Sequence, residues 1–320
     1  MSWRRTWRSC GPNSSRLGSE VSVPEGQRYP SPLRYPGGKG KVANYIKLLL
    51  LENDLVGCEY VEPYAGGASV ALSLLFEEYA SHIHINDLNR SVHAFWKVAL
   101  EHPRDLCDLI ASVTVDMDEW HRQRAIQEAE DADEFELAFS TFFLNRTCRS
   151  GIIGGGVIGG LDQTGEWKID ARFNRQDLIR RIRKVARYRS RITVTGMDAA
   201  RYVTDALPGI DQAFIYLDPP YYVKGEGLYQ NFYRDADHEQ IASLVAELRV
   251  PWIVSYDLAP AIRELYGAFP SIGYALSYSA QRRHRGAESM FFSRDLVLPG
   301  VSTPANVPFD VVDGVRVALT

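Results

Sequence analysis

Apolar positions along this chain follow two rhythms. Short runs of strand length occur at residues 58–62, 83–87, 192–196, 213–217 and 251–256, each followed closely by an acid, a glycine or a proline. The run Ala213-Phe214-Ile215-Tyr216-Leu217 is apolar throughout, as a strand buried on both faces of a parallel sheet must be. Elsewhere apolar residues recur at i, i+3 and i+4, which predicts helices at 42–52, 69–79, 91–100, 105–113, 118–128, 133–145, 237–248 and 260–266. Strands alternating with helices predict an α/β domain with a parallel sheet. Residues 88–186 interrupt that alternation with a mainly helical stretch. Residues 273–278 and 288–293 read as a closing hairpin whose tip, 281–286, is basic.

Composition narrows the class. The chain has 320 residues, 45% hydrophobic and 24% charged, enough for one core plus an inserted subdomain. Its net charge of −4 means that any surface for nucleic acid is a local patch. Cys10, Cys58, Cys107 and Cys148 form no CxxC pair and read as reduced thiols of a cytoplasmic protein. The histidines show no metal-ligand spacing and no apolar run reaches membrane-spanning length, so neither metal nor membrane is expected. Residues 1–28 carry Arg4, Arg5, Arg8 and Arg16 with no acid before Glu20. Gly11-Pro12-Asn13 breaks any targeting helix there, so this segment is expected to be a disordered tail or to precede the native start.

The strand at 213–217 ends in Asp218-Pro219-Pro220-Tyr221. The prolines have no N–H and a fixed φ, so the chain leaves the sheet rigidly. Asp218 is thereby placed at the carboxyl end of a strand, where open α/β sheets hold ligands. A carboxylate and an adjacent proline carbonyl suit an exocyclic amine, and the Tyr221 ring suits stacking on a base.

Two glycine loops precede predicted helices. One is Leu33-Arg34-Tyr35-Pro36-Gly37-Gly38-Lys39-Gly40-Lys41, which lacks the phosphate-loop spacing. The other is Pro63-Tyr64-Ala65-Gly66-Gly67-Ala68, after the strand ending in Glu62. Asp87 ends the next strand about 20 residues on, at the distance of a ribose-binding acid. Asn145-Arg146-Thr147-Cys148-Arg149-Ser150-Gly151 leads into a glycine-rich stretch, 151–160, expected to be a mobile loop. Arg172, Arg175, Arg180, Arg181, Arg183, Lys184, Arg187, Arg189 and Arg191 then form the local basic patch, suited to phosphate contacts.

In this order, the motifs resemble those of the Dam-type (DNA adenine methylase) family. The match runs from about Leu33 to about Ser293 and rests on Tyr35 to Lys39, Glu62 to Gly67, Asn86-Asp87, Asn145-Arg146 with Ser150-Gly151, Trp167, Asp170 to Asn174, and Asp218 to Tyr221. Tyr35 stands where other members carry Trp. The resemblance implies a Rossmann-like methyltransferase sheet with an antiparallel C-terminal hairpin and an inserted, mainly helical DNA-recognition subdomain. It divides the chain into a catalytic domain at 29–100 and 190–298, the helical insertion at 101–189, and a tail at 299–320. The implied cofactor is S-adenosyl-L-methionine, held by Tyr35, Lys39, Glu62, Pro63, Tyr64, Gly66, Gly67, Asp87, Asp198 and Asp218. Tyr35 and Lys39 would close over its methionine end, and Asp198 would lie near its adenine. The implied catalytic residues are Asp218, Pro219, Pro220 and Tyr221, acting on N6 of an adenine flipped out of double-stranded DNA. Asn145, Arg146, Arg149, Arg172, Arg180, Arg181, Arg183, Arg282, Arg283 and Arg285 are the expected DNA contacts. A cognate restriction endonuclease is a partner the resemblance leaves open. Cytosine-N4, RNA adenine or protein glutamine methylation, and an inactive DNA-binding homologue, are the competing readings. Asp218 argues against the cytosine and glutamine readings, which go with Ser and Asn at that position.

Overall fold

The strand, glycine loop and helix at residues 58–76 open a seven-stranded sheet, in a computed structural model that describes residues 30–34, 39–222, 233–278 and 284–319. The tail at 1–28, Tyr35, Arg282 and Arg283 lie outside the described residues. A 3₁₀ turn at Lys39–Val42 leads into helix α1, Ala43–Glu52. Strand β1, Cys58–Glu62, is followed by α2, Ser69–Phe76, then β2, Ala80–Asn86. Five helices come next: α3, Arg90–Glu101; α4, Pro103–Ser112; α5, Met117–Glu128; α6, Glu134–Thr147; and α7, Arg175–Arg187. The sheet resumes with β3, Ile192–Thr195, and β4, Ala213–Leu217. Helix α8, Asp235–Glu247, β5, Trp252–Asp257, and α9, Pro260–Leu265, follow. Strands β6, Ser271–Tyr278, and β7, His284–Phe292, form the hairpin, and α10, Phe309–Leu319, comes last.

The strand order is β3-β2-β1-β4-β5-β7-β6. The first five strands in this order pair in parallel, and β7 joins β5 and β6 antiparallel. This is the predicted Rossmann-like topology. The chain moves outward from β1 to β3 and returns to β4 beside β1, so the topological switch point lies between β1 and β4.

Alternation along the strands sorts side chains onto two cores. Tyr60, Ile83, Phe214, Tyr216, Ile253, Met290 and Phe292 face one core, covered by α1, α2 and the helices between β2 and β3. Val61, Ile215, Leu217, Val254, Tyr256 and Phe291 face the other, under α8, α9 and the turns at 199–209. The aromatic face of α6, including Phe139, Phe142 and Phe143, shares the first core with the sheet. The C-terminal residues, which carry little sequence pattern, still form α10 and dock on α1. Asn44 Nδ2 donates to Val307 O at 2.8 Å, and the Lys47 ammonium lies 4.9 Å from the Phe309 ring centre. Among the described residues no helix is long and apolar enough to cross a membrane.

Candidate active site

Asp218 follows β4 at the switch point, on the same alternation face as Phe214 and Tyr216. Its side chain is 24% exposed. Oδ1 receives the Ser255 hydroxyl from β5 at 2.7 Å, and Ser255 Oγ is in turn 2.9 Å from Tyr216 Oη. Lys39 Nζ lies 2.9 Å from the same Oδ1. Oδ2 accepts no hydrogen bond among the described residues, so one carboxylate oxygen is anchored and the other is available.

The ammonium of Lys39, a residue expected at the methionine end of the cofactor, is buried in this carboxylate cluster. It sits 3.1 Å from Tyr221 Oη and 3.3 Å from Glu288 Oε1 as well as beside Asp218. Burial alone would push the ammonium down, but the fields of Asp218, Tyr221 and Glu288 outweigh it and hold the group well above its ordinary value. Tyr221 Oη donates to Glu288 Oε1 at 2.7 Å, and Tyr274 Oη donates to Oε2 at 2.7 Å. The Tyr221 ring is thereby fixed at its hydroxyl end, directly after the two prolines. Pro219 is buried and Pro220 partly so, and neither competes as an N–H donor.

The loop after β1 is built as a cradle. Gly66 (φ 46) and Ala68 (φ 45) are both left-handed, which glycine adopts freely and alanine only under strain. Gly66 N donates to Asp87 Oδ2 at 2.8 Å, and Asn89 N donates to Oδ1 at 2.9 Å. Burial raises the Asp87 carboxyl to about 6 in spite of these donors. Trp96 Nε1 fastens Gly66 O at 2.9 Å, while Asn86 Nδ2 bridges Pro63 O and Met197 O. Glu62 takes the Tyr60 hydroxyl at 3.0 Å and Ala71 N at 3.1 Å, and burial pushes its carboxyl to about 8. Gly67 is buried, and Tyr64 Oη meets Tyr233 Oη at 2.8 Å. Asp198 is exposed after β3 and caps the short helix that follows, accepting from Arg201 N at 3.1 Å. Among the described residues no group of three or more His, Cys, Asp or Glu is placed to hold a metal ion.

An anchored carboxylate with one open oxygen, an adjacent aromatic ring and a glycine cradle with a second carboxylate can position an amine against a nucleoside-bearing donor. The family model for D12 class N6 adenine-specific DNA methyltransferases matches residues 35–278, most of the chain. The chain belongs to that family. It is therefore a methyltransferase of adenine N6 in DNA. It is also similar to the type II methyltransferase M.MjaIII of Methanocaldococcus jannaschii, at 25% identity over 203 residues, covering 59% of this chain and 68% of that one. The rRNA methyltransferase aviRa of Streptomyces viridochromogenes aligns over 81% of this chain and 86% of its own, at 13% identity and a TM-score of 0.36. A likeness at that level adds nothing to the assignment.

The methyltransferase divides its expected DNA contacts into two sets. Asn145 and Arg146 point inward. Asn145 Oδ1 accepts from Arg34 N at 2.7 Å, and Asn145 Nδ2 reaches Gly151 O at 2.8 Å. The Arg146 guanidinium is buried on Pro32 O. Burial, aided by Arg181 and Arg34, lowers the Arg146 group to about 9. Gly151 (φ +79) packs so closely that a Cβ there would stand 2.6 Å from Arg34 O. Arg181 completes the clamp by donating to Ser31 O at 3.0 Å. These residues hold segment 31–34, which leads into the glycine loop, instead of facing solvent. Arg175 also turns inward and caps the end of α4 at Ile110 O and Val113 O. Arg149, Arg172, Arg180 and Arg183 are exposed. Arg180 pairs with Asp177, and Arg172 lies 5.9 Å from the ring centre of Trp167, itself 61% exposed. Only the backbone of Arg285 is described, at the start of β7.

Glu288, Tyr274, Tyr216 and Ser255 are absent from the expected site. A faint signal existed for Glu288. It falls in phase with Met290 and Phe292 on a strand, and an acid on the apolar side of a strand must have a buried partner.

Proposed function

We propose that the chain binds S-adenosylmethionine in the cradle of β1 and β2 and methylates N6 of an adenine flipped out of double-stranded DNA at a specific sequence. The observation that carries this is Asp218, three residues before Tyr221: Oδ1 is fixed by Ser255 and Lys39, and Oδ2 accepts no hydrogen bond among the described residues. The cradle fits the donor, since the Asp87 carboxylate is aimed by two backbone N–H groups and suits paired ribose hydroxyls. Glu62, Pro63, Tyr64, Gly66 and Gly67 would line the rest of that site, with Asp198 toward the adenine end and Tyr35 and Lys39 toward the methionine end. When bound, S-adenosylmethionine supplies a methyl group activated by its sulfonium.

The N6 lone pair is conjugated into the purine ring, which makes it a poor nucleophile. Asp218 Oδ2 and the Pro219 carbonyl would accept its two N–H bonds, favour a pyramidal nitrogen and oppose the positive charge that develops on it. Tyr221 would stack on the extruded base, offsetting the few kcal/mol of flipping. Arg149, Arg172, Arg180 and Arg183, with the basic hairpin at Arg282, Arg283 and Arg285, are assigned to the DNA backbone. The helical segment 101–189 is assigned to target recognition.

Transfer of labelled methyl to duplex DNA, followed by nucleoside analysis, tests the reading. N6-methyladenine from the wild type, and none from a folded Asp218→Ala variant, is the expected result. Label in N4-methylcytosine or only in RNA, or an undiminished Asp218→Ala rate, overturns it.

A further inference from the structure

Lys39 presents an electrostatic difficulty for the reaction. An ammonium 2.9 Å from Asp218 cancels the negative charge that an amine turning cationic needs nearby. Glu288 resolves it. The carboxylate is 1% exposed on β7, opposite Asp257 of β5 and Tyr274 of β6. Oε1 takes the Tyr221 hydroxyl and faces Lys39 Nζ at 3.3 Å, and Oε2 takes the Tyr274 hydroxyl. Burial, with Asp218 beside it, raises the Glu288 carboxyl, while the Lys39 ammonium and the Tyr274 and Tyr221 hydroxyls oppose that; donors on both oxygens are the partners of an ionised carboxylate. Lys39, Asp218 and an ionised Glu288 together then carry one net negative charge, and Oδ2 of the 24% exposed Asp218 side chain accepts no hydrogen bond among the described residues.

We propose that Glu288 is a positioning residue of methyl transfer: it draws the Lys39 ammonium and the Tyr221 hydroxyl toward itself, so that Asp218 keeps Oδ2 and an uncancelled negative charge for the target amine. The proposal rests on the reading of Asp218 as the amine acceptor. It adds a residue from outside the catalytic motif, acting through Lys39 and Tyr221 without touching the substrate.

Glu288→Gln keeps the shape and removes the charge. In single-turnover transfer to duplex DNA its rate falls at least tenfold, while dissociation constants for DNA and S-adenosylmethionine stay within about twofold and the melting temperature within a few degrees. Glu288→Asp recovers part of the rate. In the background of Lys39→Met, adding Glu288→Gln slows transfer no further, because the two act as one unit. A wild-type rate in Glu288→Gln, a loss confined to binding, or independent losses in the double variant would each overturn the proposal. If Glu288→Gln melts below the assay temperature, Tyr274→Phe, which removes a donor to Oε2, is measured with and without Lys39→Met. An unchanged Tyr274→Phe rate then overturns the proposal. Failure of the wild type to methylate adenine sinks the reading of the site itself, whereas an active wild type with an unaffected Glu288→Gln sinks only the role of Glu288.

Discussion

Lys39 Nζ sits 2.9 Å from Asp218 Oδ1, joining the turn before the first helix to the end of the central strand. The pair is nearly closed off on the lysine side, 3% exposed, and open on the aspartate side, 24% exposed. That asymmetry lets the lysine anchor the carboxylate while the aspartate stays reachable from outside.

Lys39→Met is expected to cost stability as well as rate. It leaves Asp218 and Glu288 facing each other without a cation, and breaking a buried pair by removing one partner costs about 3–5 kcal/mol. Urea denaturation of Lys39→Met and of the Lys39→Met/Glu288→Gln double variant checks this, and the double variant should be the more stable of the two.

Ser255→Ala should slow methyl transfer by about tenfold or more, since Asp218 loses the neutral donor that fixes Oδ1. It also leaves the buried Tyr216 hydroxyl without its Ser255 partner, a loss of about 1–3 kcal/mol. Single-turnover kinetics and thermal melts separate the two effects. Equal rates in both proteins would show that Oδ1 needs no such anchor.

Burial raises two carboxyls, and each gives its own pH signature, one in cofactor affinity and one in stability. Asp87 must be ionised to accept ribose hydroxyls, so affinity for S-adenosylmethionine should fall as pH drops below about 6. Asp87→Asn should bind weakly at every pH; calorimetric titration from pH 5 to 8 reads both. Glu62, raised further by burial, is read in stability instead. The unfolded chain releases this proton near 4.5 and the folded chain holds it to about 8. Stability should therefore decline as pH rises across that window, by up to about 1.4 kcal/mol per pH unit. Glu62→Gln should flatten that slope.

The arginines should separate by role. Arg146→Ala exposes no new surface charge but unseats segment 31–34, and should cost about 3 kcal/mol with little change in the salt dependence of DNA binding. Arg183→Ala, on the exposed face of α7, should leave stability nearly unchanged and lower the salt slope by about 1. An unchanged slope in Arg183→Ala would return that face of α7 to ordinary solvation.

Gly151→Ala tests the same clamp without touching charge. Its left-handed φ and the 2.6 Å approach of a Cβ to Arg34 O predict a loss above 1 kcal/mol and weaker S-adenosylmethionine binding through the displaced loop. A melt and a cofactor titration check it.

Local rules were enough for much of this protein. Period-2 and period-3.6 patterns placed the strands and most helices, because each element buries its own face. The ordered motifs named the acids at strand ends, because a parallel sheet puts ligands at those carboxyl ends whatever lies around them. What only the tertiary structure decided is where long, charged side chains go. Lys39 reaches Asp218, Arg146 and Arg181 turn in on segment 31–34, and Glu288 reaches across from β7 to Lys39. A lysine or arginine spans several ångströms from its own backbone, and a partner far along the chain settles its direction. Desolvation makes such pairings decisive in the interior, and the spacing of residues along the chain contains no term for it.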